Sequence, residues 1–436
     1  MLVVSVVLLI VTFGFATNDF TDDEGCTTFI AVGDGLPSGG ALVGRNSDSS
    51  TVPYWTEVVI VTYEKGIRCF GTLTSGETYY RQFLNNNGVG QQSNARSGNR
   101  TWEGDFNKTI YGDEGFRVLA ESTTAEEAIA IAKQIADADG VRVPGGGSRT
   151  IFDKKEVYLI EGFGKGDYAI HGPWRNDIIS HANYLLAPEL RKFQDVPSGL
   201  FRGQRAQELL DKRGKYAEET SHLPTGQITP AYMFSICRDA EYRDPKTGGF
   251  DQTYKSDDRN IARLGYNTTS RYGIVIEIPK SNEKFLSTMW VAPGFPPFVP
   301  FLPFFNGVST VPPAIGPIAT NKTDVFWDLC TVLTYNPAYQ AKVQGFWESF
   351  EFETLREMNY LFAIWKLYTE QGKTKEAEDL LYSFTNERVE LAIDYAKNWV
   401  KVIDDAMEVS ILDETGKKKS TSSVIYMPEG GLFSGD

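Results

Sequence analysis

Cys26 stands in Gly25-Cys26-Thr27-Thr28-Phe29-Ile30-Ala31-Val32-Gly33, where a polar, acidic segment gives way to an apolar run. If the residues before it are removed, one residue carries both a thiol and a free α-amine. A thiol titrates near about 8.5 and an α-amine at about 7.7–8.0, so a neighbouring cation could poise both near neutrality. Such a residue is a nucleophile with its own base, suited to acyl transfer through a covalent intermediate. Arg45 is the candidate cation, and Asp48 the candidate to hold or orient the ammonium group. The side-chain amides of Asn87 and Asn183 are candidate donors to a developing oxyanion. Each has a plainer reading as well: an Arg45–Asp48 salt bridge, and asparagines that only serve their turns.

Other chemistries find less support. The three histidines are His171, His181 and His222, and the local papain-type signature around a cysteine is absent. His181, in Ser180-His181-Ala182-Asn183, is the best placed of them, yet self-activation needs no histidine. The cysteines Cys26, Cys69, Cys237 and Cys330 are too widely spaced for a zinc site, and no His-Glu-x-x-His occurs. No cofactor is implied. The glycines of Asp34 to Gly40 do not follow the dinucleotide fingerprint, and no helix pattern follows them. A net charge of -14 argues against nucleic acid and anionic membrane surfaces.

The elements that must position these residues read as α+β. Thr27 to Gly33 and Ala41 to Asn46 form two strands around a turn-rich loop. Such a hairpin brings Arg45 and Asp48 back beside Cys26. Thr56 to Tyr63 is a third strand, β-branched throughout. Asn85 to Gly90 is a turn leading into a polar stretch. Thr124 and Glu127 make a capping box for a helix over Thr124–Asp139, with Ala128, Ile129, Ile131, Ala132 and Ile135 on one face. Gly145 to Ser148 breaks the chain, and Thr150–Phe152, Glu156–Ile160 and Tyr168–Ile170 form a small antiparallel meander. Helices follow at about Gln204 to Arg213, stopped by Gly214, and from Thr229 with Pro230 at its first position. Ser270 to Glu277 is a further strand. Trp290 to Phe305, with five prolines, reads as a packed loop, neither a membrane helix nor a central strand. From Pro337 to about Ile411 the pattern is helical, with a turn at Gln371-Gly372-Lys373.

Residues 1–16 carry an uncharged apolar run ending in Gly14-Phe15-Ala16, a signal peptide by length and cleavage pattern. No stable membrane span is expected after its removal. Residues 17–25 then become a short propeptide. Four Asn-x-Thr sequons, at Asn99, Asn107, Asn267 and Asn321, suit a glycosylated protein of the secretory route, either secreted or lysosomal/vacuolar. If Cys26 is free, three cysteines remain and at most one disulfide forms.

Cys26-Thr27-Thr28-Phe29, Gly44-Arg45-Asn46-Ser47-Asp48, Asn87-Gly88 and Ser180-His181-Ala182-Asn183 together resemble the dipeptidase A family of N-terminal-nucleophile cysteine hydrolases. Trp290 to Phe295 and Phe298 to Phe301 resemble that family too. The resemblance covers residues 26–330, the catalytic domain it implies, and leaves 331–436 as a C-terminal helical region. It implies a four-layer αββα sandwich, cleavage at Gly25-Cys26, Arg45 and Asp48 flanking the nucleophile, and Asn183 and Asn87 at the oxyanion. By analogy with the related penicillin V acylases and bile-salt hydrolases, Arg271 matches a late arginine. The implied activity is hydrolysis of dipeptides or short peptides. The alternatives are an amidase, acylase or acyltransferase acting on N-acyl amides, and a non-enzymatic secreted glycoprotein with Cys26 in a disulfide. N-terminal sequencing of the mature protein should read Cys-Thr-Thr-Phe; an active chain that begins at Thr17 would overturn the self-activating reading.

Overall fold

A tight hairpin opens the fold. In the computed structural model β1 (Cys26–Val32) and β2 (Ala41–Ser49) pair antiparallel, with Cys26 opposite Ser47 and Thr28 opposite Arg45. This is the hairpin expected from the sequence. The structure describes residues 26–411 apart from 34–35, 37–38, 50–54, 76–80, 97–103, 143–144, 193–198, 216–227, 240–260, 263–268, 282 and 318–319. The signal peptide, propeptide, Asn99, Asn267, His222 and the tail after 411 lie outside that description.

The remaining strands are β3 (Thr56–Thr62), β4 (Arg68–Thr74), β5 (Arg81–Asn85), β6 (Gly90–Arg96), β7 (Gly146–Phe152), β8 (Val157–Gly162), β9 (Tyr168–Trp174), β10 (Asp177–His181), β11 (Thr269–Ile278), β12 (Thr288–Ala292) and β13 (Leu302–Phe305). The helices are α1 (Arg117–Ala120), α2 (Ala125–Asp139), α3 (Pro188–Arg191), α4 (Leu200–Lys215), α5 (Pro230–Cys237), α6 (Asp324–Tyr335), α7 (Pro337–Glu370) and α8 (Thr374–Ile411). One antiparallel sheet runs β10-β1-β2-β11-β12-β13, and the other is a meander from β3 to β9. The sheets face each other where β1 meets β6. Helices α4 and α5 cover the outer face of the first sheet, and α2 covers β7 and β8 of the second. The architecture is α+β, in four layers ordered αββα.

Alternation explains the layering. Ile30 and Val43 point inward with Phe83 and Phe152 of the opposite sheet, and all are fully buried or nearly so. Ile129, Ala132 and Ile135 of α2 pack on Ile151 and Ile160 in a second cluster. Thr124 caps that helix, its hydroxyl accepting from Glu127 N, while Thr229 caps α5 with Pro230 at the first position. On the outer face of β2, Asn46 Nδ2 donates to Cys237 O and Ile261 O, tying α5 to the hairpin.

Several local expectations give way to tertiary packing. Gly146 and Gly147 do not break the chain but begin β7, because a side chain at Gly147 would collide with the Tyr111 ring. The polar stretch Gly90–Arg96, to which the sequence pattern assigns no secondary structure, is an interior strand. Helix α4 begins at Leu200 and runs through Gly214. The run Trp290 to Phe305 is a loop only in its middle. Thr288–Ala292 is an interior strand, and Pro303 sits in β13 at the sheet edge, where a missing N–H is tolerated. Asn107 is exposed, whereas Asn321 Nδ2 donates to Thr56 O and Gly316 O, bonds that a glycan there would have to replace.

Helices α6 to α8 share the main core. Trp347 Nε1 donates to Phe298 O, and Arg238 is paired twice at 2.6 Å to Glu351, which also accepts from Phe301 N. Both charged groups are buried, so each depends on the other. Among the described residues no helix is long and apolar enough to cross a membrane. Glu351→Ala should cost about 3–5 kcal/mol in denaturant unfolding, because it strands the Arg238 charge. Replacing both partners by apolar residues should recover much of that loss.

Candidate active site

Cys26 is the first residue of β1 and only 1% exposed. Its sulfur accepts from Arg45 Nη2 at 3.1 Å, and its main-chain nitrogen donates to Asn183 Oδ1 at 2.7 Å. Antiparallel pairing accounts for the first contact. Thr28 and Arg45 are opposite each other, so both project between the sheets, and the long Arg45 side chain reaches two pairs back, to Cys26 on the same face. Arg45 is fully buried; its Nε donates to Ser93 O at 3.0 Å and its Nη1 to Tyr272 Oη at 3.3 Å. Burial opposes its charge, but the Cys26 sulfur and Tyr272 outweigh that cost, leaving the guanidinium more firmly protonated than usual.

Asn183 follows β10 and is oriented by its neighbours. Arg202 Nη2 donates to Oδ1 at 2.6 Å, while Nδ2 donates to Ala95 O at 2.6 Å. The amide oxygen therefore faces the Cys26 nitrogen, and one N–H of the amide nitrogen is taken by Ala95. Asn183 thus belongs to the cluster and meets Cys26 through its amide oxygen. The loop after it is anchored by Glu161, whose carboxylate accepts from Leu186 N, Ala187 N and His171 Nε2.

Asp48 is buried at the same end of β2, accepting from Ser270 Oγ at 2.6 Å. Arg271 is buried in a β-bulge of β11, between Ser270 opposite Asp48 and Tyr272 opposite Ser47. Bulges commonly re-aim a side chain beside a functional site. The structure therefore brings Cys26, Arg45, Asp48, Asn183 and Arg271 to one end of the first sheet.

Asn87 is elsewhere. It lies in the turn joining β5 and β6, roughly 20 Å along the strand from Ala95. Its Nδ2 donates to Ser122 O, and its Oδ1 accepts from Lys284 Nζ. It lines a separate surface cleft of 650 Å³ with Glu121, Thr123 and Glu127. The turn claims this asparagine, as its local sequence suggests.

Reading the sequence missed several participants. Asn94 of β6 accepts from Thr28 Oγ1 at 2.9 Å and donates to His181 Nδ1 at 3.1 Å. His181 must then donate from Nε2 to Thr150 Oγ1, 2.7 Å away. Both its ring nitrogens are engaged within this network. Ser93 and Ala95 contribute carbonyls, Tyr272 a hydroxyl, and Arg202 a guanidinium. The polar composition of Gly90–Arg96 was the available signal: an interior strand rich in amides must satisfy them somewhere.

All four cysteines are free thiols. Burial pushes Cys69 and Cys330 up to about 12 and Cys237 above the ordinary thiol range. Only Cys26 has a guanidinium donating to its sulfur among the described contacts. The non-enzymatic alternative, which required two disulfides, finds none here. Among the described residues no group of His, Cys, Asp and Glu could hold a metal ion.

No family model matches the chain, and no curated protein matches it. Among solved structures it is similar to a Caenorhabditis elegans N-acylethanolamine-hydrolyzing acid amidase (NAAA) ortholog, at 14% identity and a TM-score of 0.37. That match covers 62% of this chain and 100% of the other. Substitution should separate the two asparagines. Asn183→Ala should lower turnover at least about 100-fold, through loss of the nucleophile's placement. Asn87→Ala should stay within about twofold of wild type.

Proposed function

We propose that this protein is a cysteine hydrolase of amide bonds, with Cys26 as its N-terminal nucleophile and dipeptides or short peptides as substrates. The observation that carries this reading is the pair of contacts on Cys26, with a cation on its sulfur and an acceptor on its nitrogen. A thiol that only packs in a core needs no cation on its sulfur.

The steps follow from the geometry. The α-amine, steadied by Asn183 Oδ1, takes the thiol proton while the sulfur attacks the substrate carbonyl carbon. Arg45 holds the negative charge on sulfur before attack. As the tetrahedral intermediate collapses, the ammonium gives its proton to the leaving amine, the C–N bond breaks and a thioester remains. Water then attacks the thioester with the same amine as base, releasing the acid and restoring the thiol. Asp48 and Arg271 lie at the same end of the sheet, where they can balance the charge around the ammonium and bind polar groups of the substrate.

The nucleophile does not by itself select the acyl group. The signal sequence and sequons support placement on the secretory route, secreted or lysosomal/vacuolar, with removal of residues 17–25 as the activating step. The test is a product assay on the processed protein, with dipeptides and N-acyl amides run side by side and Cys26→Ala as the control. Release of free amino acids from dipeptides, abolished in C26A, is the expected result. Faster hydrolysis of N-acyl amides would transfer the assignment to an acylase, and turnover surviving in C26A would overturn the nucleophile.

A further inference from the structure

Arg202 occupies an unusual place. Helix α4 presents Arg202, Ala206 and Leu210 at successive i+4 positions, and all three are fully buried. A charged residue on an apolar stripe is costly unless its bonds repay the burial. Here Nε donates to Thr27 Oγ1 at 3.1 Å and Nη2 to Asn183 Oδ1 at 2.6 Å, so the planar fork grips the residue after the nucleophile and the acceptor of the nucleophile's nitrogen. Gly199 makes the approach possible. Its φ is +77°, and a Cβ there would stand 2.6 Å from Arg202 Nη2 and 3.0 Å from Asn183 N.

We propose that Arg202 is a positioning residue: it locks the Asn183 amide with its oxygen toward the Cys26 amine, and its charge disfavours the protonated amine. The inference rests on Cys26 being the first residue of the working protein. Asn183 Oδ1 accepts from both nitrogens, which places them within about 5 Å of each other, a range at which like charges shift a titration by a unit or more. Were the amide reversed, its N–H groups would face two donors. Arg202 therefore makes the acceptor orientation the only satisfied one and favours the neutral amine as base.

The other charged or titratable groups around this end are Arg45 and Asp48 from β2, Arg271 from the β11 bulge, Tyr272 of β11 bonded to Arg45, Arg81 of β5, whose charge acts on Arg45, and His181 from β10, opposite Thr28. From β6 the facing side chain is the neutral Asn94. Arg45 acts in the same sense as Arg202 on the amine, and Asp48 in the opposite sense.

The test is the pH profile of kcat/KM for processed wild type, Arg202→Met and Arg202→Lys, using the best substrate from the peptide and N-acyl amide panel. Intact mass confirms that each chain begins at Cys26. In R202M the acid limb should rise by about one pH unit, because a more basic amine stays protonated longer. kcat should fall at least tenfold with KM little changed. R202K, which keeps the charge, should hold its limb near that of wild type while losing kcat. Gly199→Ala, which displaces the guanidinium, should move the limb in the same direction as R202M. An R202M limb that coincides with wild type, or an R202K limb as displaced as that of R202M, would overturn the proposal. If R202M does not accumulate as folded protein, Asn183→Asp carries the test: a carboxylate holding the ammonium must raise the limb, and an unmoved limb overturns it. A wild-type chain that does not begin at Cys26 defeats the functional reading itself, whatever the variants do.

Discussion

A guanidinium buried between two β-sheets must be satisfied from several directions, and Arg45 meets that demand with groups from three strands. Cys26 Sγ comes from β1, Tyr272 Oη from β11 and Ser93 O from β6. Two of these strands lie in one sheet and the third in the other. Sliding either sheet by one residue would break at least one of these bonds and leave a buried charge short of partners. The same charge that can hold a thiolate therefore also fixes how the layers sit.

The polar strand β6 is the consequence. A fully apolar strand would have served the core better, yet Gly90–Arg96 supplies the carbonyl for Arg45, the carbonyl for Asn183 and the amide that joins Thr28 to His181. Tyr111 closes this network from outside, its hydroxyl within hydrogen-bond reach of Asn94 O and Ser148 O and accepting from Ser148 N. The bonded polar groups of this cluster support one another, and such cooperation makes a network rigid. Such rigidity keeps both the sulfur and the main-chain nitrogen of Cys26 on their partners.

The C-terminal helices extend this framework. Arg238, one residue beyond α5, pairs with Glu351 of α7 and donates to Pro296 O and Val299 O. The proline-rich loop is thus held between α5 and α7, and α5 is held to β2 through Asn46. A continuous set of buried bonds runs from the outer helical pair to the strand that carries Arg45.

What the sequence determined by itself was local. Alternation and turn residues wrote the β1–β2 hairpin, so Arg45 and Asp48 were legible beside Cys26. Capping residues wrote α2 and α5, and the unusual address of Cys26 singled it out among the four cysteines. Each of these depends on residues a few positions apart, where propensity and periodicity act. Tertiary structure decided which asparagine joins the site, and the answer was Asn183 and Asn94 rather than Asn87. It also decided that Arg202 grips Asn183 and that a glycine run begins a strand against Tyr111. The bonds concerned join residues 157 apart for Cys26 and Asn183 and 227 apart for Arg45 and Tyr272. No local pattern carries such pairings, because they exist only once the sheets have packed and brought these donors and acceptors together.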